Sequence, residues 1–118
     1  MDERRALRVS ETVREELAEL IAFELEDPRL ETVNVSEVHV SPDAKYARVK
    51  VSIQGGDREQ LQAIAALDHA RHYLRRELAF RLSLRHVPEL HFEPDRNAGV
   101  DSRIDFLLRR ARRSRGEK

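Results

Sequence analysis

The chain has no cysteine and no tryptophan. The first absence removes disulfides, thiolate metal sites and cysteine nucleophiles together, and agrees with a reducing cytoplasm. The second, with only two Tyr and four Phe in 118 residues, leaves the core to aliphatic side chains. No apolar run approaches the roughly 18 residues of a membrane span. The N-terminal MDERRALRVSE lacks the apolar segment of a signal peptide, so the expectation is a cytoplasmic protein with no membrane partner. Net charge is also missing, because 22 Lys and Arg offset 22 Asp and Glu.

That balance hides a gradient. Residues 1–60 hold 9 basic and 14 acidic side chains, a net of −5, whereas residues 61–118 hold 13 and 8, a net of +5. Nineteen of the 22 basic residues are arginine, whose planar fork suits phosphate and stacks on bases. Codon usage alone also enriches arginine, but it does not decide where charges sit. An acidic half followed by an arginine-rich half points to a polyanionic partner on one side.

The length fits one domain with a modest core. Val9, Val13, Leu17, Leu20 and Ile21 recur at helical spacing, which predicts a helix from Arg4 to Glu26. Asp27-Pro28 ends it, because the residue before proline leaves the helical region. Val33 and Val35 alternate, then Val38 and Val40, with a parity slip at Ser36-Glu37 that reads as a β-bulge or as a break between two short strands. The turn SPDAK leads to a strand with Ala47, Val49, Val51 and Ile53 on one face. Asp57 is expected to cap the next helix. Residues 58–83 contain neither Gly nor Pro and read as helix, lined first by Leu61, Ile64, Ala65 and Leu67 and then by Ala70, Leu74, Leu78 and Leu82. VPELHFEP reads as a short strand, with Pro88 at its start. Asp101 or Ser102 begins a last helix with Ile104, Leu107, Leu108 and Ala111, and Phe106 opposite Leu108. The order is α-β-β-α-α-β plus a C-terminal helix, an α+β domain with helices on one face of three strands.

This order, with RVSETVREELAELIAFELEDPRL, VNVSEVHVSPDAKYARVKVSI, LRRELAFRLSLRHVPELHF and RIDFLL, resembles the ribosome-binding factor A family from about Arg8 to Leu108. The resemblance implies a type II KH-like fold. It also implies binding to the 30S ribosomal subunit, a role in maturing the 5′ end of 16S rRNA, and no catalytic activity. Residues 1–108 would form the KH-like domain and 109–118 a basic, flexible tail. In KH domains a Gly-x-x-Gly loop clamps the nucleic-acid backbone. The family carries Ala-x-Gly at an inter-helix kink instead, and the matching positions here are Ala70, Arg71 and His72, without the glycine.

With Leu74 centred on the apolar face, His69, His72, Arg76, Ala79 and Ser83 fall opposite it, and Arg75 falls at the flank. Such a basic row beside small side chains lets a phosphate backbone approach, although an ordinary solvated face has the same pattern. Taken with the resemblance, the candidate RNA contacts are His69, Arg71, His72, Arg75, Arg76 and Arg85, with Arg109, Arg110 and Arg113 in the tail. Both arginine heads of the 75–76 pair are expected to be exposed, and the acidic first helix to face away. Arg81 falls near the apolar stripe, so either the helix is ending there or its stem packs and its head snorkels.

His69, His72 and His86 do not make a zinc site, since too few ligands accompany them. No cofactor and no metal are expected. No nucleophile triad, phosphate-cradling loop or carboxylate pair in an apolar setting supports an enzyme. The leading reading is a monomeric, noncatalytic factor for the 30S subunit and 16S rRNA. A module for an acidic protein partner and a single-stranded DNA binder are the alternatives.

Overall fold

The computed structural model describes residues 2–95. Helix α1 (Glu3–Glu19) starts at Asp2, whose carboxylate accepts the Arg5 N–H at 2.7 Å and so satisfies one orphan amide of the first turn. Its buried stripe is Ala6, Ser10, Val13 and Leu17. Leu20 and Ile21 prolong the stripe in a π-helical turn, Leu20–Glu24, closed by the Leu25 N–H on Leu20 O at 3.2 Å. The helical run therefore stops at Glu24 rather than Glu26. Leu25 and Asp27 are extended, as Pro28 requires of the residue before it. Asp27 then caps a 3₁₀ turn, Pro28–Leu30.

Strands β1 (Asn34–Val40) and β2 (Tyr46–Ser52) form an antiparallel hairpin. Val35 pairs with Val51 and Glu37 with Lys50, so Ser36 is the extra residue of the bulge. The bulge lets Val35, Val38 and Val40 all reach the core despite the parity slip. Strand β3 (Glu89–Pro94) lies parallel to β2, from Tyr46↔Glu89 to Val51↔Pro94, giving the order β1-β2-β3. A parallel pair needs a crossover, supplied here by helices α2 (Asp57–His69) and α3 (Arg71–Leu82).

The cap of α2 is Gly56, not Asp57, which is already helical; the Glu59 carboxylate accepts the Gly56 N–H at 2.9 Å. Gly55 has φ +115°, and a Cβ there would lie 2.7 Å from Glu59 Cβ, so this turn accepts only glycine. The inward face of α2 is Ala63, Ala66 and Leu67, with Ile64 half-buried. Leu61 is 72% exposed and Ala65 is exposed, against the expectation that both line the core. Close approach of α2 to β3 and to the 3₁₀ turn selects the small alanines and rotates Leu61 outward.

Leu17, Leu67, Leu74, Leu78 and Leu90 have no exposed surface. Each contributes roughly 1.5–3 kcal/mol of apolar burial. The expected C-terminal helix, with Phe106, and the basic tail lie outside the described residues.

Candidate nucleic-acid interface

The crossover helices meet at one residue. Ala70 has φ −88° and ψ 3°, its N–H reaches Ala66 O and Leu67 O at 3.1 Å each, and its carbonyl accepts the Leu74 N–H at 2.9 Å. That bridge-region conformation is open to any L-residue. Arg71 and His72 are already the first residues of α3. The kink therefore survives without glycine at position 72.

The kink divides the expected RNA contacts into two groups. Exposed on α2 and α3 are His69, His72 and Arg76, followed by Arg85 in the connection to β3. Neither Arg76 nor Arg85 makes an ion pair among the described residues. Arg71 and Arg75, one turn apart, instead turn inward toward β3. Arg71 pairs with Asp68 at 3.0 Å and approaches Glu89 at 4.0 Å. Arg75 Nη2 donates to Val87 O at 3.0 Å, and the Nε atoms of both arginines are buried without a protein acceptor. The expectation of an exposed Arg75 head is therefore corrected: its guanidinium pins residues 83–88 to α3. Arg109, Arg110 and Arg113 lie outside the described residues.

Arg81 lies in the last turn of α3, as its position suggested, and its head leaves the apolar stripe. It reaches α1, with Glu16 at 3.2 Å, Glu19 at 3.6 Å and Glu24 at 3.5 Å. The neighbouring Glu16 holds its guanidinium pKa above the ordinary value. The acidic end of α1 therefore packs along α3.

The open face of the sheet is a poor competitor for phosphate, because its cations are paired. Arg48 meets Glu93 at 2.8 Å and Lys50 meets Glu37 at 3.6 Å, and the His39 ring bonds the same Glu37 carboxylate at 2.5 Å. His91 packs edge-on against Tyr46, with ring centroids 5.9 Å apart.

Two features of this region were missed by sequence reasoning. Phe80, four residues after Arg76, stands 86% exposed on α3; the i, i+4 spacing carries that signal, but the small residues Ala79 and Ser83 mask it. The Asp27–Arg29 turn also reaches the kink. Leu25, Asp27, Arg29, Leu30, Ala66, His69 and Ala70 line a cleft of about 180 Å³. Arg29 bonds the Asp27 carboxylate at 2.7 Å and, with a smaller contribution from His69, holds it below the usual carboxylate range. The Asp-Pro-Arg-Leu segment and the kink, far apart in sequence, thus form one surface. Among the described residues no group of His, Asp and Glu is placed to hold a metal ion, and no helix is long and apolar enough to cross a membrane.

Comparison with known proteins agrees with this architecture. The family profile described as ribosome-binding factor A matches residues 5–108. A ribosome-binding factor A from Solibacter usitatus is 63% identical over 118 residues, all of this chain and 96% of the relative. The crystal structure of ribosome-binding factor A from Thermus thermophilus superposes with a TM-score of 0.70 at 33% identity, covering 77% of this chain and 97% of that one. A second Thermus thermophilus structure, a homology-built factor fitted into a cryo-EM map of its 30S complex, gives 0.64 at 33% identity over 75% of this chain and 92% of that one. The α+β fold is KH-like, as in these neighbours.

Proposed function

The chain belongs to the ribosome-binding factor A family, and we propose that it binds the 30S ribosomal subunit as a monomer in the cytoplasm, contacts 16S rRNA and assists maturation of its 5′ end without catalysing a reaction. One observation carries this reading: His72, Arg76 and Arg85 stand exposed along the crossover, the two arginines free of ion pairs among the described residues, in the fold of a relative fitted into a 30S complex. Unpaired cations are available to phosphate, whereas Arg71 and Arg75 are held within the domain. The exposed groups therefore supply the electrostatic attraction, and the held ones shape the surface that presents them.

Binding of this kind weakens with salt. Each phosphate neutralised adds about 0.7–0.9 to the slope of log affinity against log salt, and six to ten contacts lose roughly 10³–10⁵ in affinity between 50 and 200 mM. The test is co-sedimentation of the protein with 30S particles across that range. Arg76→Glu combined with Arg85→Glu should lower the affinity and flatten the slope by about 1.5, the share of two phosphates. A variant with the wild-type slope and affinity removes this row from the interface. Binding indifferent to salt refutes the electrostatic mechanism altogether.

A further inference from the structure

Two phenylalanines lie uncovered, each next in sequence to a partner of the Arg81–Glu24 ion pair that joins neighbouring helices. Phe23, in the π-helical turn, is 80% exposed, and Phe80, on α3, is 86% exposed. Phe23 follows Glu19 by four residues and Glu16 by seven, which places it on the edge of α1 that meets Arg81. Phe80 follows Tyr73 by seven residues, so both rings share one edge of α3. Tyr73 is half-buried and within reach of the charges of Glu77, Glu24, Arg81 and Arg76, so that edge borders both the end of α1 and the basic row. Between the two phenylalanines run the ion pairs of Arg81 with Glu16, Glu19 and Glu24. They clamp the helices and so hold the spacing of the two rings.

The surroundings of this seam are acidic. Residues 15–26 contain five glutamates and no Lys or Arg, and Glu77 adds a carboxylate from α3. Arg81 is already shared among three of these glutamates. Arg76, one turn before Phe80, borders the seam; beyond it a phosphate backbone would meet mainly carboxylates, so charge disfavours here the partner that suits the Arg76 row. A cationic surface with an apolar socket fits both features. Aromatic anchors at the centre supply most of an interface's energy, and a ring of complementary charge speeds and orients the encounter.

We propose that the α1–α3 seam is a second docking surface, which takes a basic protein of the small subunit and seats Phe23 and Phe80 in an apolar socket rimmed by Lys and Arg. This inference rests on the 30S reading above. The domain would then grip the particle by two chemistries, with the basic row on rRNA and the acidic aromatic seam on protein.

Titrating the full chain against intact 30S particles and against protein-free 16S rRNA separates the two surfaces. Phe23→Ala combined with Phe80→Ala should lose about tenfold or more on 30S particles, the scale of two aromatic anchors. Its affinity for protein-free rRNA should equal that of the wild type. Equal loss on both targets would mean that bases stack on the rings, which overturns the protein partner. No loss on 30S particles removes the seam from any interface. Glu15→Lys, at an exposed rim position, should weaken 30S binding if the partner is basic; tighter binding overturns the proposal, since an RNA partner gains from added positive charge. If the wild-type chain binds neither target, the 30S reading itself fails and this inference falls with it. Binding by the wild type with full retention by the variants sinks the seam alone.

Discussion

Arg75 Nη2 donates to Val87 O at 3.0 Å, so one guanidinium ties α3 to the chain entering β3. Next to it, Arg76 projects into solvent. Two adjacent arginines thus serve opposite ends of the chain of cause, one the fold and one the surface. Arg75→Glu should cost roughly 1.5–3 kcal/mol, the scale of a lost charge-assisted hydrogen bond, and should speed amide exchange across residues 83–88. Arg76→Glu should leave the urea midpoint unchanged. Equal stability of the two variants would mean that the Val87 contact contributes nothing.

Ser10 is a buried polar residue on the inward stripe of α1. Its hydroxyl donates to Ala6 O at 2.7 Å and accepts the Val40 N–H at 2.9 Å. It therefore joins the first helix to the last residue of β1, whose amide would otherwise be buried without a partner. Ser10→Ala should destabilise the domain by about 1–3 kcal/mol, the penalty for an orphaned buried donor. Urea unfolding should show a lower midpoint with an unchanged m-value.

At the kink, His72 is helical and the bend belongs to Ala70, whose backbone angles lie on the permitted side of φ. Glycine at position 72 would therefore relieve nothing. His72→Gly should cost about 1 kcal/mol, the ordinary penalty for glycine in a helix, and should leave the angle between α2 and α3 unchanged. A more stable glycine variant would show strain at position 72 and contradict this account.

The Asp27 carboxylate caps Arg29 N–H at 2.9 Å and bonds its guanidinium, which together hold its pKa below the usual value near 3.8. A carboxyl whose pKa is lowered by folding stabilises the native state when ionised. Its contribution is complete above the unfolded pKa and disappears as pH falls through the lowered folded value. The stability difference between wild type and Asp27→Asn should therefore be flat from neutral pH down to about 5, and should shrink below about 4. A difference that grows on acidification would reverse the sign of the coupling.

Local pattern made the sheet legible. The slip between Val35 and Val38 placed a bulge at Ser36, because side-chain direction in a strand has period two and an inserted residue must show. The crossover was harder. On α2, hydropathy ranks Leu61 above Ala63 and Ala66, yet the alanines are buried and Leu61 is not. Helix-to-sheet distance made that choice, and distance is not written in a single helix. Arg81 sat near an apolar stripe with no local reason, because its partners Glu16, Glu19 and Glu24 are more than fifty residues away in sequence. Arg75 looked like its neighbour because its acceptor is a loop carbonyl, and a carbonyl has no letter in the sequence. The basic row was readable as a row, but which of its members keep their charge free was decided only in three dimensions.

The parallel pairing of β2 with β3 has a consequence for the order of events in synthesis. The hairpin of β1 and β2 is complete once residue 52 has emerged, but the other edge of β2 stays unpaired until residues 89–94 follow. Throughout that interval the nascent chain carries an open strand edge flanked by Val49 and Val51, the kind of edge that recruits foreign strands. Closure must wait for the kinked helices, since they carry Glu89 back to Tyr46. The contact between Arg75 and Val87 holds the chain that enters this last strand against α3.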